Sequence, residues 1–168
     1  MGSITDKITL RNAIWILMKN DISDELVISS PGIISREIYN IRDRPENFYV
    51  MGSMGSSLGI GIGLALSKSD REIIVIAGDG DILMSLGTLV LMRKLNLPNL
   101  KLIILDNNSY ATTGGQRTCS DAIDFTIIGG ERCIVVKVLN DIRVSDRIDI
   151  DPEEIMRRFY NVCNSNTT

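Results

Sequence analysis

The sequence predicts an α/β protein, a three-layer sandwich around a mostly parallel sheet. Three observations carry this. Apolar runs rich in β-branched residues, such as Glu72-Ile73-Ile74-Val75-Ile76-Ala77, lack polar alternation, as strands covered on both faces do. These runs alternate with segments of helical periodicity. Strand, helix and strand then follow one another within the span from Glu72 to Leu105, the length of one crossover unit. At 168 residues the chain is expected to form a single domain spanning 1–168.

Taken in order, residues 7–19 carry apolar positions at helical spacing, with Thr5 or Asp6 as the expected cap. Leu26-Val27-Ile28-Ser29 reads as a short buried strand ended by Ser30-Pro31-Gly32, and Ile34 to Ile41 as a short helix. After the polar loop 42–47 comes the brief run Phe48-Tyr49-Val50. A helix is expected from Ser56. Gly55, Gly59 and Gly63 recur every four residues and would share one smooth face, which predicts a very close neighbour, either within the chain or across a subunit contact. Glu72–Ala77 ends in Gly78-Asp79-Gly80, and Ile82 to Leu95 is helical up to Pro98. Lys101 to Leu105 is a second buried strand ending in Asp106-Asn107-Asn108. Ile134 to Leu139 is a further strand. Asp151-Pro152-Glu153-Glu154 then opens a last helix with a cap, a proline at its first position and acids facing the helix dipole.

Composition narrows the chemistry. Eighteen basic and 21 acidic residues give a net charge of −3, and no basic run suggests a nucleic acid or anionic membrane as partner. The chain has no histidine, which excludes Ser-His-Asp and Cys-His catalysis and His-based zinc sites within it. Three widely spaced cysteines (Cys119, Cys133, Cys163) are too few for an all-thiolate zinc site and are expected to be buried structural thiols. Trp15 is expected in core or interface packing. The first residues lack the features of a secretion signal, and the Gly-rich apolar stretch Met54–Leu66 is 13 residues against about 20 needed to span a bilayer. A cytoplasmic location is therefore expected. Any catalysis must draw on a cofactor or a second chain.

In a parallel sheet, ligands sit beyond the carboxyl ends of the strands. Twenty-six residues separate Gly80 from Asn107, so one crossover helix would set a carboxylate beside an amide oxygen at neighbouring strand tips. Such oxygen donors suit Mg²⁺, which is held by few protein groups plus substrate phosphates. Gly80 would let backbone approach a phosphate, and the following helix N-terminus favours negative charge.

Gly-Asp-Gly followed at this distance by Asn-Asn resembles the signature of thiamine diphosphate enzymes. The chain resembles their diphosphate-binding (PP) domain over nearly its whole length, nearest to the sulfopyruvate and phosphonopyruvate decarboxylases. The resemblance rests on SPGIISREIYNIRDRPENFYVMGSMG, GIGLAL, AGDGDILMSLGTL, DNNSYATTGGQ and DPEEIMRRF. It implies that Asp79, the Asn108 amide and the Tyr110 carbonyl ligate Mg²⁺. It implies that Gly78, Asp79 and backbone groups of Gly80, Asp81 and Ile82 hold the diphosphate. Gly52-Ser53-Met54 would grip the middle of thiamine diphosphate, with the Gly52 carbonyl accepting from the pyrimidine amine and Met54 as the wedge that bends the cofactor. Of the segment after the first buried strand only Gly32 carries over, because Ile33 and Ile34 stand where relatives often have polar side chains.

The cofactor would supply the carbanion chemistry that the absent histidine cannot. The activating glutamate of the family lies on a pyrimidine-binding (PYR) domain that this chain lacks, so no catalytic residue is assigned here. The resemblance implies a hetero-oligomer with an alpha-type PYR subunit, acting on 3-sulfopyruvate in coenzyme M biosynthesis, with phosphonopyruvate or another 2-oxo acid as alternative substrate. Two features depart from the pattern. Asp81 puts a carboxylate where a small residue is usual, and the stretch Gln116–Ile134 is short, so the sheet is expected to lack a strand. Two other classes are weighed. A non-catalytic assembly subunit would fit the shortened half. A Rossmann dinucleotide binder would use Gly59-Ile60-Gly61-Ile62-Gly63 with Asp79, although the spacing is not G-x-G-x-x-G.

Overall fold

A computed structural model describes residues 8–140 and 145–165. The chain runs β1 (Ile8–Thr9), α1 (Leu10–Ile16), β2 (Leu26–Ser29), α2 (Ile33–Arg42), β3 (Asn47–Tyr49), α3 (Ser57–Ser67), β4 (Ile73–Gly78), α4 (Asp79–Met84), α5 (Leu86–Leu95), β5 (Leu100–Asp106), β6 (Ser109–Tyr110), β7 (Gln116–Arg117), α6 (Phe125–Gly129), β8 (Cys133–Leu139) and α7 (Pro152–Asn164). Six strands form one sheet in the order β1-β8-β5-β4-β2-β3, and every pairing within it is parallel.

The continuous apolar strands explain the three layers. Along β4, Ile73, Val75 and Ala77 face a core shared with Leu58, Ile62 and Ala65 of α3 and Leu89 and Met92 of α5. Ile74 and Ile76 point the other way, into a second core with Ala13 and Ile14 of α1, Met18, and Ile34 and Ile38 of α2. Alternate residues of one strand thus feed opposite layers, which only a sheet buried on both faces can use.

Helix α7 covers the outer strand β3. Phe159 packs on Phe48 with ring centroids 5.2 Å apart, and Arg158 forms a bidentate pair with Asp43, which also accepts from the Tyr49 hydroxyl at 2.7 Å. Asp151 caps the helix by accepting from Glu153 N at 2.8 Å, as the sequence predicts. Burial would raise the Asp43 pKa, but Arg158 and Tyr49 outweigh it and hold it below its ordinary 3.8. A carboxylate depressed in the folded state stabilises above its unfolded pKa, and that stability is lost as pH falls through the folded value. Asp43→Asn should therefore cost about 1 kcal/mol at pH 6. The cost should shrink as pH falls below the ordinary carboxylate value of 3.8, as measured by urea unfolding at pH 6 and in acid.

Several expectations change. The first helix begins later, because Ile8–Thr9 pairs with β8 as an outer strand. Its cap is Thr9, whose Oγ1 accepts from Asn12 N at 3.1 Å, while Thr5 and Asp6 lie outside the described residues. The helix expected over Ile82–Leu95 is two, starting at Asp79 and broken at Ser85, whose extended φ of −135° interrupts the ladder. Gly55 lies before α3 at φ +91°, and added Cβ atoms at Gly59 and Gly63 would meet nothing within 4 Å. Close neighbours within the chain stand at Gly55, where a Cβ would meet Met84 Cβ at 3.2 Å, and at Gly61, where it would stand 2.3 Å from Val75 Cγ2. In the short stretch Gln116–Ile134, β7 pairs back on β6 and the one-turn α6 follows before β8, which pairs on its other side with β1. Cys119 is exposed rather than buried, and Trp15 is half-exposed rather than core. Between β8 and α7, the segment 145–149 is described. Ser145 is buried there, with its hydroxyl on the Glu37 carboxylate.

Candidate active site

The carboxyl ends of β4 and β5 are neighbours, with Gly78 in register with Leu105, so the turns leaving them meet. Between them opens a cavity of about 630 Å³ counting the solvent at its mouth. Gly78, Asp79, Gly80 and Asp81 line it on one side and Asn107, Ser109 and Tyr110 on another, with Ser30, Pro31, Ile33, Ile34, Met54, Leu139 and Asn140 among its other walls. Gly80 permits this closeness, since a Cβ there would lie 2.5 Å from the Tyr110 ring.

Asp79 is 1% exposed, and none of the described ion pairs includes it. Its Oδ2 accepts from the Thr118 hydroxyl. The same hydroxyl lies 3.4 Å from Asn108 Oδ1, so one hydroxyl bridges the carboxylate and amide predicted to meet. Burial pushes the Asp79 pKa up and nearby Asp106 adds to this, against the lowering effect of Thr118 and Ser120. A buried carboxylate facing no side-chain cation is a costly arrangement, and a bound cation would relieve it. Ser109 Oγ, also in the cavity wall, is buried with no hydrogen-bond partner. An oxygen-rich, anion-bearing cavity with an orphaned polar atom fits a hard divalent cation.

The predicted residues fall into two groups. Gly78, Asp79, Gly80, Asp81, Met54 and Tyr110 line the cavity. Gly32, Ser53, Ile82 and Asn108 are chain neighbours of lining residues without lining it, Gly52 lies two residues before Met54, and Ser53 faces a separate pocket with Phe48, Met51 and Met156. Ile82 is fully buried, and Asn108 turns at φ +55° while its neighbour Asn107 faces the cavity. The Tyr110 carbonyl already accepts from Gly115 N at 3.1 Å. Gly32 has φ +90° and sits under Thr112, and Ile33 and Ile34 make apolar wall.

The carboxylate of Asp81 has a defined job. Its Oδ1 accepts from Gly55 N at 2.7 Å and its Oδ2 from the Ser57 hydroxyl, so it clamps the loop 51–55 against α4. Burial raises its pKa, and these two bonds oppose the rise. In that loop Gly52, Ser53 and Gly55 all have positive φ, at 71°, 46° and 91°. The strained Ser53 is held by a built support, as functional loops are. Met54 projects from it, 39% exposed, into the cavity.

Sequence reasoning missed Thr118, Ser120, Asp106 and Lys137. Ser120 Oγ donates to Asp106 Oδ1 at 2.9 Å, and the Lys137 ammonium pairs with Asp106 Oδ2. Arg117 is exposed and paired with Asp121 at 2.9 Å. Gly59, Gly61 and Gly63 lie within α3 rather than at a strand-to-helix turn, unlike a dinucleotide-binding loop.

Residues 32–158 match the thiamine pyrophosphate enzyme, C-terminal TPP binding domain. The chain belongs to this family. It is 40% identical over 161 residues to sulfopyruvate decarboxylase subunit beta of Methanothermobacter thermautotrophicus, covering 82% of this chain and 86% of the relative. It is 46% identical over 102 residues to the same subunit of Methanocaldococcus jannaschii, covering 61% of this chain and 54% of the relative. Phosphonopyruvate decarboxylase of Streptomyces viridochromogenes is 42% identical over 105 residues, of which this chain spans 26% of the length. These relatives place the TPP-binding chain among the thiamine diphosphate-dependent decarboxylases. Its fold matches that of an enzyme from Mycobacterium smegmatis described as thiamin diphosphate-dependent, with a TM-score of 0.59 at 15% identity over 80% of this chain and 32% of the other. Among the described residues no helix is long and apolar enough to cross a membrane.

Proposed function

We propose that this chain is the PP-domain subunit, spanning 1–168, of a cytoplasmic sulfopyruvate decarboxylase, which releases CO₂ from 3-sulfopyruvate with thiamine diphosphate and Mg²⁺ in coenzyme M biosynthesis. The observation that carries this reading is the single Thr118 hydroxyl touching both Asp79 and Asn108 at the cavity between β4 and β5. The likeness to subunits named sulfopyruvate decarboxylase beta supports the substrate and a hetero-oligomeric partner, an alpha-type subunit carrying the PYR domain.

Asp79, the amide of Asn108 and the Tyr110 carbonyl are the ligands we assign to Mg²⁺, with Asn107 as the competing amide because it lines the cavity. The backbone of Gly80, Asp81 and Ile82 would hold the diphosphate, and the Gly52 carbonyl would accept from the pyrimidine amine. When bound, thiamine diphosphate supplies the carbanion and the electron sink for decarboxylation. The protein's share is to position it, exclude water and keep the Met54 wedge in place through the Asp81 clamp. No acid or base of this chain is assigned to the reaction.

The test is co-purification with a PYR-domain partner and measurement of CO₂ release from 3-sulfopyruvate and phosphonopyruvate side by side. Release from the first substrate supports the reading, release from the second alone favours the phosphonopyruvate reading, and release from neither defeats both. Asn107→Ala and Asn108→Ala in the same assay assign the amide, since the true ligand should cost at least about 100-fold. Met54→Ala should leave the unfolding midpoint unchanged because the side chain is partly exposed, yet reduce turnover about tenfold by loosening the cofactor's bent shape.

A further inference from the structure

One of the two carboxylate oxygens of Asp79 is already engaged. Oδ2 accepts from the Thr118 hydroxyl, and Thr118 is itself 4% exposed and fixed from several sides. Its backbone N donates to the Asn108 carbonyl at 3.3 Å, and its Oγ1 lies 3.2 Å from Ser120 Oγ. Ser120 spends its only proton on Asp106 Oδ1, which also accepts from Asn108 N at 3.0 Å. Thr118 and Ser120 thus give their single protons to different carboxylates, Asp79 and Asp106, and the Asp106 charge is met by Lys137 while that of Asp79 is met by no cation among the described residues.

We propose that Thr118 is a positioning residue that confines Asp79 to one free oxygen and so sets the site's preference for Mg²⁺ over Ca²⁺. This rests on the thiamine diphosphate reading given above. Mg²⁺ holds to a compact octahedron at about 2.0–2.1 Å, with few protein carboxylates. Ca²⁺ sits at about 2.3–2.6 Å with more oxygens, and gains from a carboxylate offering both. A hydroxyl that occupies Oδ2 withholds the second oxygen from the larger ion and orients the first for the smaller. Partners of this kind, one shell behind the ligands, typically change metal affinity about 10–100-fold.

The experiment titrates the full chain, co-purified with its partner and saturated with thiamine diphosphate, with MgCl₂ and separately with CaCl₂ by calorimetry. Thr118→Val should weaken Mg²⁺ binding about 10–100-fold. It should weaken Ca²⁺ binding less, so that the preference for Mg²⁺ narrows. Thr118→Ser, which keeps the hydroxyl, should retain the wild-type preference. Thr118→Ala, which removes the hydroxyl with a smaller side chain, should shift the preference in the same direction as Thr118→Val and serves where that variant fails to fold. A folded Thr118→Val or Thr118→Ala with unchanged preference overturns the inference alone. Wild-type protein that takes up neither ion with thiamine diphosphate defeats the cofactor reading itself.

Discussion

Asp79→Ala is expected to abolish Mg²⁺-dependent binding of thiamine diphosphate and to lower turnover of the assembled enzyme at least about 100-fold. Removing a direct ligand should cost more than removing a group behind it, and the latter alone is worth about 10–100-fold in metal affinity. The prediction depends on a carboxylate that is 1% exposed and whose described hydrogen-bond partner is a neutral hydroxyl. Such a charge is expensive to keep in the empty protein. Asp79→Asn, similar in shape and able to accept from Thr118, should therefore raise the thermal midpoint of the cofactor-free chain while losing cation affinity. A site that spends stability on a group useful only when loaded shows this opposition of stability and function. Calorimetric titration and differential scanning of wild type, Asp79→Ala and Asp79→Asn make the check. Asp79→Ala that binds cofactor normally, and turns over normally with its partner, would mean the cavity is idle and the chain serves assembly.

The part of this site legible in sequence is the part built on strand ends. Ile73–Gly78 and Leu100–Asp106 are unbroken apolar runs, so where they end, and which residues follow, could be read directly, and a βαβ unit of that length makes neighbours of the two tips. Thr118 gave no such signal. It lies in a hairpin and turn region with neither period, and it reaches Asp79 only because β7 folds back on β6. Asp81 was visible as an oddity, but its partners are Gly55, in a loop whose path depends on three positive φ angles, and Ser57, the first residue of α3 that follows that loop. The two-residue strand Ile8–Thr9 was absorbed into the following helix, since two residues cannot show a period of two. The break at Ser85 was hidden because apolar spacing continues across it, while the bend is imposed by tertiary contact: a Cβ on Gly55 would lie 3.2 Å from Met84 and 3.3 Å from Ser85.

Helix α3 offers the sharpest test of the packing, because its glycines should respond with opposite signs. A Cβ at Gly61 would lie 2.3 Å from Val75 Cγ2, a contact that cannot persist, and 3.5 Å from Leu100 Cδ1. Val75 is fully buried at the centre of β4 and stiff at χ1, so the helix must move instead. Overpacking of this kind costs about 1–3 kcal/mol. The helical preference of alanine over glycine returns about 1 kcal/mol at most. Gly61→Ala should thus destabilise the chain, and Gly61→Val more so, with a fall in the thermal midpoint of about 2–8 °C for each net kcal/mol lost. At Gly59 and Gly63 an added methyl meets nothing within 4 Å, and the backbone there is helical. Alanine at either should stabilise the isolated chain by about 0.5–1 kcal/mol. If that gain is accompanied by weaker association with the partner, the smooth face formed by these two glycines is a subunit contact, one of the two readings their four-residue spacing leaves open. Destabilisation at Gly59 or Gly63 in the isolated chain would instead show that the face is packed internally, and the assignment of Gly61 as the internal contact would fall with it.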